Sequence, residues 1–202
     1  MAASPQRRTR LDPTARRAQL LECALAVFAR DGLGRGNHAS IAGRAGVSVA
    51  TVFHYFPSRE DLVGAVLDEV ETFFITLASD IHGRDAPLPQ LLFDHGDAFL
   101  EAADTHGEYV RVWLDWSTAI RESVWPRYLQ FQERLVSIVA ASLDRGRERG
   151  EIDGSVVAED TARLFVGNAH MAALMKFAPH PGQDLRRLVS RAVAALLTSS
   201  QG

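Results

Sequence analysis

Residues 37–56, NHASIAGRAGVSVATVFHYF, leave the backbone few choices. Asn37 has the side chain of a helix N-cap, with an oxygen that can accept from a free amide of the first turn. Ile41, Ala42 and Ala45 give the following helix one small apolar face. Gly46 stands where that helix must end in a left-handed residue, a conformation that glycine takes without steric cost. Val47 can turn into a core, and Ser48 can cap a second helix over Val49–Tyr55. Two short helices joined by a glycine turn form a helix-turn-helix, in which the second helix enters the DNA major groove. The competing reading is an ordinary helical corner inside a core.

Charge separates the two readings further. The 202 residues carry a net charge of −3, too little to coat nucleic acid generally. The charge is unevenly placed: residues 1–60 hold nine arginines against four carboxylates, a net of +5, and the remainder carries −8. A basic head on an acidic body is the electrostatic footprint of a site-specific DNA binder, although a solvated charge run gives the same count. Within residues 1–11, Arg7, Arg8 and Arg10 form a basic arm suited to phosphates or an adjoining minor groove, or equally a solubilising tail. The single Cys23 excludes an internal disulfide and a cysteine zinc site, which fits a reducing compartment. No secretory signal or run of eighteen apolar residues is found, so the expected location is the cytoplasm, at the nucleoid, with no membrane partner.

The rest of the chain reads as helix throughout, an all-α fold of about nine helices with expected domains at 1–58 and 59–202. Asp12-Pro13 opens the first helix, with Leu21, Ala24, Leu25 and Phe28 on its inner face. GLGRG at 32–36 is no phosphate cradle, because no strand precedes it and no GK[ST] follows. Pro57 and Ser58 end the second reading helix and start a long one, whose stripe of Leu62, Val66, Val70, Phe73, Phe74 and Leu77 runs to about Ser79. Breaks near 83–89, 105–107, 122–126, 150–155 and 179–182 divide the remainder into five helices. The last two, Val156–Phe177 and Gln183–Ser199, are too apolar to bury both faces in one subunit, and a homodimer is the economical solution.

The stretch VSVATVFHYFPSREDL resembles the signature of TetR-family transcriptional repressors. GLGRGNHASIA, VSVATVF and the distant VWLDWSTAIRESVWP also resemble the quorum-sensing master regulators of vibrios, the HapR and SmcR branch. The resemblance implies a three-helix DNA-binding head and a helical ligand-binding and dimerising body. The DNA-contact set read from residues and resemblance together is Arg7, Arg8, Arg10, Asn37, His38, Ser48, Val49, Ala50, Thr51, His54, Tyr55 and Arg59. Ser48 and Thr51 bring hydroxyls to a helix N-terminus, where phosphate is favoured, and Val49 and Ala50 suit thymine methyls. Phe53 stands where many members have Tyr, His54 where the vibrio branch has Asn, and Arg59 where most have Lys. An operator identical to the branch's is therefore not expected.

Trp113, Trp116, Trp125, Tyr128 and Phe131 crowd one twenty-residue stretch, as core or as the walls of a small-molecule site. In the vibrio branch, positions matching Trp113, Tyr128, Gln132, Val136 and Ala169 line a pocket. Here Gln132 replaces Asn, Val136 replaces Gln and Ala169 replaces Cys, so the pocket is expected to be less polar. Trp116, Asn168, His170 and Met171 complete the expected ligand set. The seven histidines compose no metal motif, and no GxSxG elbow is present. The expected protein is thus a non-enzymatic, cofactor-free, homodimeric regulator that reads a palindromic double-stranded operator and answers to a small apolar ligand. Two other classes remain open: a hydrolytic or binding helical domain, revealed by turnover without DNA binding, and an architectural DNA-binding protein, revealed by a pocketless body.

Overall fold

The computed structural model describes residues 12–178 and 184–198, and every regular element among them is an α-helix. The order is α1 (Pro13–Asp31), α2 (His38–Ala45), α3 (Val49–Tyr55), α4 (Arg59–His82), α5 (Leu88–Thr105), α6 (Gly107–Ser117), α7 (Trp125–Glu148), α8 (Ala158–Phe177) and α9 (Leu185–Thr198). The all-α reading and the count of nine therefore hold among the described residues. The break expected at 179–182 and the arm residues Arg7, Arg8 and Arg10 lie outside them. Three boundaries differ from expectation. The long helix runs to His82, and α8 begins at Ala158 rather than Val156. α6 stops at Ser117, well before the break expected at residue 122. There the Ser117 hydroxyl donates to the Leu114 carbonyl at 2.7 Å and that of Thr118 to Asp115 at 3.0 Å, so side chains take acceptors that another turn of helix would need.

The chain groups into two compact units that divide between Val66 and Leu67, inside α4. The first unit is built on α1. Asp12 caps it, its Oδ1 accepting from the Ala15 amide at 2.9 Å, with Pro13 in the first turn. Leu20, Ala24, Val27 and Phe28 of α1, Ile41 and Ala42 of α2, Val52 of α3, and Phe56 are all buried, and α2 packs on both α1 and α3. At Gly36 a Cβ would lie 2.4 Å from Cδ1 of Phe28, so the turn between α1 and α2 crosses that ring only because residue 36 has no side chain. Gly46 ends α2 at φ +66°, the left-handed cap expected from the sequence.

The second unit is a helical body. Within it α7 packs on α8, α5 packs on α9, and α5 touches α6, α7 and α8. Phe74 of α4 sits among the rings of Phe99, Trp113 and Phe131, with centroids 5.9–6.5 Å away. One face of α8 buries Thr161, Ala162, Val166, Ala172 and Ala173, while Leu164, Met171 and Leu174 on another stay more than half exposed. No helix among the described residues is long and apolar enough to cross a membrane.

Candidate functional site

α3 divides by face as a reading helix must. Val52 points inward and is fully buried, whereas Ser48, Val49, Ala50, Phe53 and His54 are exposed and Thr51 and Tyr55 half-buried. The Ser48 Oγ accepts from the Thr51 amide at 3.1 Å and lies 2.8 Å from the Thr51 hydroxyl, so cap and neighbour are held as one polar unit at the helix start. At the start of α4, Ser58 and Asp61 form a reciprocal capping box: each side chain accepts from the other's amide at 3.0 Å. Arg59 follows, exposed on the surface, with Nη2 donating to the carbonyl of Leu33 and tying the α1–α2 turn to α4.

Two of the expected DNA contacts are put to other uses. Asn37 is spent on local structure: Oδ1 accepts from the Ser40 amide at 3.1 Å and Nδ2 donates to the Arg35 carbonyl at 3.1 Å. Asn37→Ala is therefore expected to cost about 1 kcal/mol of stability in urea titration, more than it costs in operator contacts. His38, expected at the DNA, is corrected: it is 7% exposed, and its Nε2 lies 2.8 Å from the Phe56 carbonyl. Its ring stacks flat on Phe53, centroids 4.0 Å apart and planes within 6°. Position 38 begins a short helix on the side that meets the chain after α3, and an imidazole there bridges to a backbone carbonyl instead of reaching outward.

Phe53 is the surface residue that sequence reasoning undervalued. It is 47% exposed, and with Val49 one turn earlier at 41% it forms an apolar strip on the outward side of α3. The signal was there in the spacing, i and i+4 on a helix whose inward residue is Val52. Reading Phe53 only as a tyrosine without its hydroxyl hid it.

The second unit contains a partly open cavity of about 70 Å³. Its walls are chiefly Phe74, Phe99, Trp113, Leu135, Phe165, Val166 and Val193, and its polar groups are His95 and Asn168. Of the expected ligand residues, Trp113, Asn168 and Ala169 line it. The other expected residues lie outside the lining of this cavity. Trp116 is fully buried, stacked on Phe131 at 5.3 Å, with its indole N–H donating to the Val124 carbonyl at 3.0 Å. Tyr128 is buried, which pushes its phenol up to about 12, and its hydroxyl lies 3.1 Å from Nε2 of His170. Val136 is core, the buried Oε1 of Gln132 has no hydrogen-bond partner, and Met171 is 56% exposed. Successive turns of α6 place Trp113 and Trp116 on different neighbours, a distinction that a cluster of aromatics in sequence does not carry.

A second group was not anticipated. His82 and Ser142 are buried and meet at 2.8 Å between Nδ1 and Oγ, while Nε2 of His82 lies 2.9 Å from Nδ1 of His95. These residues come from α4, α5 and α7 with no common spacing, so nothing in the linear pattern joins them. No group of three or more histidine, cysteine or acidic residues suited to a metal ion occurs among the described residues.

An exposed reading helix capped by Ser48 and a separate helical unit with an apolar cavity define a helix-turn-helix DNA-binding regulator. Residues 20–66 match the model of bacterial regulatory proteins of the tetR family. The chain is 38% identical to the transcriptional regulator LuxR of Vibrio harveyi over 183 residues, 91% of this chain and 89% of the relative. It is 30% identical to the transcriptional repressor KstR2 of Mycobacterium tuberculosis over 152 residues, 70% and 74% of the two chains. Among solved structures, the fatty acid degradation regulator FadR of Bacillus halodurans shares the fold at a TM-score of 0.76 and 17% identity, covering 96% of this chain and 99% of its own. The chain belongs to the TetR family of transcriptional regulators. Members of this family bind DNA and act as dimers.

Proposed function

We propose that the protein is a homodimeric regulator that sets α3 of each subunit in a major groove of a palindromic operator and releases it when a small apolar ligand fills the cavity of the second unit. The observation that carries the DNA reading is the outward face of α3, where the Ser48–Thr51 hydroxyl pair adjoins exposed Val49, Ala50 and Phe53. Hydroxyls at a helix N-terminus suit phosphate, and small apolar groups suit thymine methyls. His54 and Tyr55, with centroids 5.1 Å apart, continue that face, and the arginines at 7, 8 and 10 would follow the backbone beyond it. The dimer reading rests on the uncovered apolar residues of α8, and the ligand reading on the cavity. Resemblance to the vibrio master regulators supports quorum-sensing control, acting in the cytoplasm at the nucleoid.

Selection of genomic fragments by the purified protein, followed by footprinting at two salt concentrations, tests this. Protection of a palindrome with half-sites at least one helical turn apart is expected. Salt-sensitive binding with no preferred site would contradict it. Thr51→Ala should weaken operator binding by about 1 kcal/mol while keeping the amide-to-Ser48 cap. Arg59→Ala should weaken it on all sequences and lower the salt slope by about one. Unchanged titrations for both variants would remove α3 and the start of α4 from the interface.

A further inference from the structure

We infer that His95 presents an unprotonated ring nitrogen to the cavity, and that the cavity selects an uncharged apolar molecule carrying one hydrogen-bond donor, such as an aliphatic alcohol. This rests on the reading above that the cavity takes a ligand, and adds which chemistry it takes.

The assignment follows from counting hydrogens along one chain of contacts. The Ser142 hydroxyl donates to the Val139 carbonyl at 2.8 Å, which uses its single hydrogen. At its 2.8 Å contact with Nδ1 of His82, the Ser142 oxygen must therefore accept, so Nδ1 carries a proton. A neutral imidazole has one N–H, which leaves Nε2 of His82 as an acceptor. Its partner at 2.9 Å, Nδ1 of His95, must then donate. That fixes the remaining nitrogen of His95, Nε2, as a bare acceptor in a side chain that lines the cavity. Both rings are neutral: burial, then Arg145 and Arg84, hold His82 down at about 4, and burial with His82 beside it holds His95 at about 3. The Arg145 guanidinium also donates to the His82 carbonyl at 2.5 Å, so the far end of the relay is anchored at backbone and side chain alike.

The walls decide the rest of the ligand. Phe74, Phe99, Trp113, Leu135 and Phe165 are apolar, and among the described residues no Asp, Glu, Lys or Arg lines the space. A carboxylate entering it would shed its water without meeting a cation, a large cost for an ion in an apolar site. A hydroxyl placed against His95 replaces its lost water bond with one to the ring, whereas an ether or ketone oxygen at that nitrogen would set lone pair against lone pair; Asn168, the other polar group, is exposed to water.

Two measurements on the full-length protein test this. Histidine ¹⁵N correlation spectra read the tautomers directly, and Nε2 of His95 is expected without a proton. Calorimetric titration with 1-hexanol, methyl pentyl ether and hexanoate reads the selectivity. Hexanol should bind about tenfold more tightly than the ether, the worth of one hydrogen bond, and hexanoate more weakly than either. Ser142→Ala should shrink the alcohol preference and mix the His95 tautomers, and His95→Leu should abolish the preference while the ether still binds. A protonated Nε2, equal or tighter binding of the ether, or hexanoate matching hexanol would each overturn the assignment. A bare Nε2 with no probe bound would instead defeat the reading of the cavity as a ligand site, and the proposed selectivity with it.

Discussion

The double variant Leu164→Glu/Leu174→Glu is expected to fold, to remain a monomer, and to bind the operator about 100-fold more weakly or worse. The two leucines are 61% and 60% exposed in the single chain, and Met171 between them is 56% exposed. Val157, Leu164, Met171 and Ala178 recur every seven residues along α8 and its ends, with Leu174 three beyond Met171. That repeat is the seam of a helix packed on another helix rather than a solvated face. Another side of α8 already buries Ala162, Val166 and Ala173 against its own subunit, so Leu164, Met171 and Leu174 are left for a second cover. Glutamates at 164 and 174 stay hydrated in the monomer and cost its fold little. Between two subunits they would lose water in an apolar seam, and association is expected to fail. A dimer holds two reading heads on one duplex, so losing it removes the gain from simultaneous engagement of both half-sites. Light scattering and operator titration check the two consequences separately. A dimer of unchanged affinity would move the interface away from this face.

How much of this was legible before the coordinates depended on the range of the interactions involved. Caps and turns are local, and Asp12, Asn37, Ser48 and Gly46 all act as their sequence positions imply. The helical stripes of α1 and α4 were equally plain, because an apolar period needs only its own segment to be read. What failed depended on a partner distant in sequence. His38 meets a carbonyl eighteen residues on, and its ring holds Phe53 flat at the surface. His82, His95 and Ser142 converge from three helices, and their contacts span up to sixty residues. The aromatic cluster of α6 and α7 was visible as composition, but which rings face a cavity is set by α5, α8 and α9 together. The early end of α6 was missed for a different reason: Ser117 and Thr118 fit a helix interior by pattern and stop it by hydrogen bonding.

That distinction between core and cavity gives the other large effect. Trp116→Ala is expected to cost about 4 kcal/mol of stability in urea unfolding, a large part of the about 5–15 kcal/mol that holds a domain together. Trp116 is fully buried and stacks on Phe131 at 5.3 Å, and Tyr128 meets its edge at 5.4 Å. Its indole N–H closes the turn between α6 and α7 through the Val124 carbonyl, which also accepts from the Tyr128 amide, so truncation leaves a void and removes one of that carbonyl's two donors. Trp113 is nearly as buried, at 3%, but one of its sides is cavity wall. It packs against Phe99 at 5.5 Å and His170 at 4.3 Å. Trp113→Ala enlarges a space that already exists, so it should alter the response to ligand while operator binding without ligand persists. The two tryptophans thus separate by readout: one variant loses stability, the other loses selectivity. If Trp116→Ala cost under about 1 kcal/mol and changed ligand affinity instead, the ring would belong to the ligand site and the boundary drawn around the cavity would be too small.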